Sequence, residues 1–276
     1  MPETHRPGSL PGPTSVEPRY DLRAERDACG IGFVADAGGR ASRDMIETAI
    51  HSLCRVRHRG ALASDAKTGD GAGLLLPLPG AFFARELRSL VPDAPEAPVD
   101  IDEPGSGPSF VGVAMMFVWP EESRDGGAGH RAIVETACRT EGIDVVAWRP
   151  VPVDPEALGD AAKRSIPLIE QALILRPVGV TIKEAERRSV RARKVSEKEC
   201  RDAGIKAYFP SFSFLTVTYK GLCVAEQLPE FYRDLADEAF VAPFAIFHQR
   251  FSTNTTPSWD RAQPFRMICH NGEINT

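Results

Sequence analysis

Apolar positions recur along the chain in two different periods. Met45, Ile46, Ala49, Ile50, Leu53 and Val56 follow at three and four residues, which predicts an amphipathic helix. Ser42 stands where it caps that helix, and Gly60 where it ends it. Short continuous or alternating runs predict strands at Cys29–Asp36, Leu74–Leu76, Phe110–Trp119, Val145–Trp148, Phe212–Thr218 and Phe244–Phe251. Further helices are predicted over Phe82–Leu90, His130–Thr140 and Leu228–Phe240. Strands and helices interleave, so the fold class is α plus β.

Other stretches lack such periods. Residues 1–28 hold Pro2, Pro7, Pro11, Pro13 and Pro18 with only isolated large apolar side chains, which predicts a disordered leader. Val91–Pro108 is rich in proline and acids and is expected to be a solvated connection. Lys183–Asp202 mixes basic residues with interleaved acids, the signature of a solvated helix face rather than a nucleic-acid surface.

Composition narrows the function classes. The chain has 276 residues, 42% of them hydrophobic and 26% charged, an ordinary globular balance. A net charge of −5 gives no basic field for nucleic acid or anionic lipid. The apolar run Val111–Trp119 stops at Pro120, far short of the ~20 residues of a membrane helix. Cys29, Cys54, Cys138, Cys200, Cys223 and Cys269 form no C-x-x-C pair, so free thiols and a cytoplasmic location are expected.

Chemistry concentrates in three clusters. They are Cys29-Gly30-Ile31-Gly32; His58-Arg59-Gly60-Ala61 running through Asp65 and Thr68 to Gly69-Asp70-Gly71-Ala72-Gly73; and His248-Gln249-Arg250-Phe251-Ser252-Thr253 followed by His270-Asn271-Gly272-Glu273. The glycines lack the order of a phosphate loop or dinucleotide fingerprint. The histidines and Cys269 lack the close ligand pairs of a zinc site. In order and separation the clusters resemble the glutamine amidotransferase domain of glutamate synthase large subunits, class II enzymes whose nucleophile is an amino-terminal cysteine. The resemblance runs from about Cys29 to Thr276.

The resemblance implies an N-terminal-nucleophile hydrolase fold, a four-layer αββα sandwich. It makes Cys29 the nucleophile, and an α-amino group with pKa ~7.7–8.0 a built-in base once residues 1–28 are removed. Arg250 offers a planar fork for the glutamine carboxylate, and Thr253 a hydrogen bond beside it. Asn271 and Gly272 would supply the oxyanion hole, and Glu273 would line the pocket near the substrate amine. Arg59 is expected to support the structure. Apart from the resemblance, Arg250 could make a strand-end salt bridge, and Asn271-Gly272 could form a hairpin turn.

The same resemblance implies two segments, a leader at 1–28 and an amidotransferase domain at 29–276 that is incomplete at its carboxyl end. These residues alone are then expected to be inactive. Ammonia would pass to a distant site that makes glutamate from 2-oxoglutarate, with FMN and an iron-sulfur cluster in later domains. The partners implied are glutamine and a small subunit or other electron donor. Two alternatives stay open, namely another class II amidotransferase and a non-catalytic glutamine-binding module or inactive fragment.

Overall fold

A computed structural model describes residues 30–94, 110–249 and 256–266. The predicted leader and most of the proline-rich connection lie outside the described residues. In chain order the elements are β1 (Gly30–Ala35), α1 (Arg43–Arg55), β2 (Ala72–Pro77), α2 (Gly80–Leu90), β3 (Val111–Val118), α3 (His130–Thr140), β4 (Asp144–Pro150) and α4 (Asp160–Arg164). They continue with β5 (Leu168–Leu175), α5 (Ile182–Asp202), β6 (Ala207–Ser213), β7 (Thr216–Gly221), α6 (Gln227–Phe231) and β8 (Phe244–Gln249).

The strands form two four-stranded antiparallel sheets, ordered β1-β8-β2-β7 and β4-β5-β3-β6. α1 lies along β1 and β8, while α3 and α5 lie on the second sheet. The alternation of side chains along β3 divides the interior. Val113, Met115 and Phe117 join Leu74, Leu76 and Tyr219 of the first sheet in one core, whereas Ala114, Met116 and Val118 face Val134 and Cys138 of α3 and Ala185 and Ala192 of α5. Burial on both faces accounts for the unbroken apolar sequence of β3. The order helix, sheet, sheet, helix is that of the αββα class.

Local chemistry sets the ends of the elements. Ser42 Oγ accepts from Met45 N at 3.2 Å and starts α1 as predicted. α5 starts on Thr181, whose Oγ1 accepts from Glu184 N at 3.3 Å. Its inner stripe is small, with Ala185, Ser189, Ala192, Ser196 and Cys200 buried, so this highly charged helix can lie close against β6.

Four predictions need correction. α1 ends at Arg55 and a 3-10 turn, Arg57–Arg59, follows, so Gly60 does not terminate it. The strand predicted over Phe212–Thr218 is two strands, β6 and β7, turning at 214–215. The half-buried Glu186 carboxylate of α5 accepts from Ser213 Oγ and Phe214 N there, and so closes the turn. The helix predicted over Leu228–Phe240 is α6 followed by a 3-10 turn, Arg233–Ala236. Tyr232 between them bridges to Val153 in extended conformation, which a continuous helix would forbid. β5, absent from the prediction, is a central strand of the second sheet.

Candidate active site at one end of the first sheet

The glycine phrase that precedes β2 is built around one carboxylate. Asp65 Oδ1 accepts from Thr68 N at 2.7 Å and Lys67 N at 3.0 Å. Its Oδ2 accepts from Thr68 Oγ1 at 2.5 Å and Ala161 N at 3.0 Å. These bonds, those from Thr68 foremost, hold the carboxyl well below the usual carboxylate range. They also fasten the loop to the first turn of α4. Gln227 adds a second tie, with Nε2 donating to Lys67 O at 3.1 Å and Oε1 accepting from Val224 N at 2.9 Å.

The three sequence clusters meet beyond this loop. Gly30 at the start of β1 and Ala72 at the start of β2 both pair in register with Gln249, the last residue of β8. The Gln249 side chain is wholly buried, and its Nε2 donates to Gly71 O at 3.2 Å. Gly60 lies against the same amide: a Cβ there would stand 2.5 Å from Gln249 Nε2 and 3.3 Å from Asp70 Oδ1. A side chain at position 60 would therefore push the Gln249 amide out of this place. Gln249 thus touches or pairs with a member of each remaining cluster. In the sequence only its place inside the His248–Thr253 phrase marks Gln249, since the pairing that gives it this position is not local.

The residues singled out for chemistry, Cys29, Arg250, Thr253, Asn271, Gly272 and Glu273, lie outside the described residues, and so does the Arg59 side chain. What is described is the scaffold one peptide bond away from two of them. Cys29 is bonded to Gly30 and Arg250 to Gln249, the two residues that pair across β1 and β8.

The described thiols are ill suited to nucleophilic work. Burial pushes Cys138 up to about 12, Cys200 up to about 11 and Cys223 up to about 12, and Cys54 is raised as well, again chiefly by burial. A thiol raised to about 11 or 12 has a negligible thiolate fraction at neutral pH. Among the described residues no three His, Cys, Asp or Glu side chains gather as metal ligands, and no helix is long and apolar enough to cross a membrane.

Residues 29–276 match the family model for class-II glutamine amidotransferases. The chain is 40% identical over 258 residues to the glutamate synthase [NADPH] large chain of Azospirillum brasilense, covering 93% of this chain and 16% of that protein. It is 40% identical over 260 residues to the corresponding large chain of Bacillus subtilis, with the same coverage of 93% and 16%. Ferredoxin-dependent glutamate synthase 2 of Synechocystis is 39% identical over 255 residues, which cover 92% of this chain and 15% of that one. The chain thus spans about one sixth of the length of these relatives.

Proposed function

Since the chain belongs to the class-II glutamine amidotransferases, we propose that it hydrolyses glutamine and that the ammonia serves glutamate synthesis within a longer protein. One observation carries the reading: the register Gly30–Gln249–Ala72 draws the chain neighbours of Cys29 and Arg250 and the glycine phrase to one end of the first sheet. High thiol pKa values at Cys138, Cys200 and Cys223 support the assignment of the nucleophile to Cys29.

In this reading residues 1–28 are removed and Cys29 becomes the amino terminus of an amidotransferase domain at 29–276. Its α-amine takes the thiol proton and the thiolate sulfur attacks the carboxamide carbon. Asn271 and the Gly272 N–H receive the oxyanion. Collapse of that intermediate breaks the C–N bond, and the proton held on the α-amine leaves with ammonia. Water then adds to the thioester, giving glutamate and restoring the thiol. Arg250 grips the substrate carboxylate through two parallel N–H donors, with Thr253 beside it and Glu273 near the substrate amine.

The electron donor would be NADPH or ferredoxin, as named for the relatives, delivered through a small subunit or donor protein, and the location cytoplasmic, which the free Cys54, Cys138, Cys200 and Cys223 support. FMN and an iron-sulfur cluster are assigned to regions beyond this chain. The described cysteines, on α1, α3, α5 and the turn after β7, are not gathered as a cluster would require. The test is mass spectrometry of the protein purified from its own host. The expected amino-terminal residue is Cys29; a fully active enzyme that retains residues 1–28 would exclude the α-amine as base.

A further inference from the structure

Lys220 has no part in the chemistry above, yet its environment is built with care. It lies on β7 and is wholly buried. Its Nζ donates to the main-chain carbonyl oxygens of Ala262 at 2.6 Å and Asp260 at 2.8 Å, and meets the Tyr208 hydroxyl at 3.1 Å. The rings of Tyr208 and Phe265 flank it, with centroids 4.5 Å and 4.9 Å away. No carboxylate bonds to it among the described residues. Burial pushes its pKa well down, and Arg266 adds repulsion. A buried lysine is an expensive way to hold two carbonyl groups, so the position of what it holds must matter.

What it holds is the stretch 256–266. Trp259 packs over Gly221, the residue after Lys220, and its Nε1 donates to Ala162 O at 3.4 Å. Gly73 is the cross-strand partner of Lys220. A Cβ at Gly73 would stand 2.5 Å from Gln263 O, 2.7 Å from Lys220 Cβ and 2.9 Å from Pro264 Cδ. The last glycine of the Gly69–Gly73 phrase therefore clears the seat on β2 that Lys220 fills from β7. In sequence the seated stretch joins the Arg250 phrase to His270-Asn271-Gly272-Glu273.

We propose that Lys220 is a positioning residue of the amidotransferase site: by pinning the Asp260 and Ala262 carbonyls to β7 it sets the chain that leads to Asn271 and Gly272. The inference rests on the glutaminase reading. It predicts an asymmetric effect, because Arg250 follows directly from Gln249 on β8, whereas the oxyanion donors follow from the pinned stretch. Loss of the anchor should therefore lower kcat by more than it raises KM, to which Glu273 on the same stretch contributes.

The experiment uses the protein as its host makes it, with Lys220→Met, which keeps the stem and deletes the amine. Glutamate release and the alkylation of Cys29 by iodoacetamide are measured, and folding is checked by thermal melting. Expected are a kcat lowered tenfold or more, a KM within about threefold of wild type, and unchanged alkylation. Oxyanion donors act on kcat by roughly 100-fold or more, which leaves room for a partial loss. Gly73→Ala, whose Cβ would press on Gln263, Lys220 Cβ and Pro264 while leaving the amine in the chain, should reproduce the split and decides the matter should Lys220→Met not fold. A wild-type kcat in both variants would overturn the proposal, as would parallel changes in kcat, KM and alkylation. Absence of glutamate release by the complete wild-type protein, carrying these residues within its full length, would instead overturn the underlying reading, and the proposal with it.

Discussion

At the scale of single residues, the polar side chains that organise the candidate site act mostly on main-chain atoms. Asp65 collects three backbone N–H groups and a hydroxyl, Gln249 bonds a glycine carbonyl, and Lys220 bonds two carbonyls. Such residues shape loops, and in the proposed function substrate recognition falls to groups such as Arg250. Arg250→Lys is therefore expected to raise KM for glutamine about tenfold or more, because an ammonium cannot present two parallel donors to a carboxylate. Steady-state kinetics with iodoacetamide alkylation of Cys29 as a control check this. An unchanged KM would show that another residue binds the carboxylate.

At the scale of elements, what the sequence made legible depended on whether the signal was local. The capped α1 could be read because Ser42 and the stripe Ile46, Ala49 and Leu53 lie within one segment. β5 could not, since Leu168–Leu175 carries Glu170 and Gln171 in its middle, two polar residues that break the pattern of a buried strand. Both are satisfied only by remote partners. Gln171 bonds Arg149 at 2.9 Å and Tyr219 at 3.1 Å; Glu170 accepts from His130 Nε2 at 2.7 Å and from Arg131. The split of the predicted Leu228–Phe240 helix has the same origin, as Asp234 turns inward to a bidentate pair with Arg149 at 2.7 Å and 2.8 Å. Of the site, the phrases themselves could be read, but their meeting at Gln249 depends on the register of β1, β8 and β2, which no single segment encodes.

The clasp between α3 and β5 predicts a pH dependence. The hydrogen bond to Glu170 raises the His130 pKa above its ordinary value, taken as ~6.5 in the unfolded chain. The native state then binds the proton more tightly, so this contribution to stability is complete below about pH 6.5 and is lost as pH rises through the elevated native value. Urea midpoints of the wild-type protein should fall across that window relative to those of His130→Gln. Parallel pH profiles for the two would remove the charged clasp from the account.

At the scale of the whole molecule, the proposed function makes the chain one half of a two-part reaction. Its relatives are about six times as long, and in the proposed scheme the ammonia freed at Cys29 is consumed at a site outside these residues. The two sites then share an intermediate but not their chemistry. Ammonia added from solution needs no thiolate, no carboxylate clamp and no oxyanion hole on this side of the molecule. Replacing the nucleophile should consequently separate the two activities in the complete protein. Cys29→Ala is expected to abolish glutamate formation from glutamine and 2-oxoglutarate, and to leave formation from ammonium and 2-oxoglutarate near the wild-type rate. Both rates are measured on one preparation with the same electron donor, so that a folding defect would lower them together. Equal loss in a variant with a wild-type melting temperature would mean that Cys29 acts beyond glutamine hydrolysis. Full retention of the glutamine-dependent rate would require a different nucleophile, and the buried, high-pKa thiols of Cys138, Cys200 and Cys223 make poor candidates for that role.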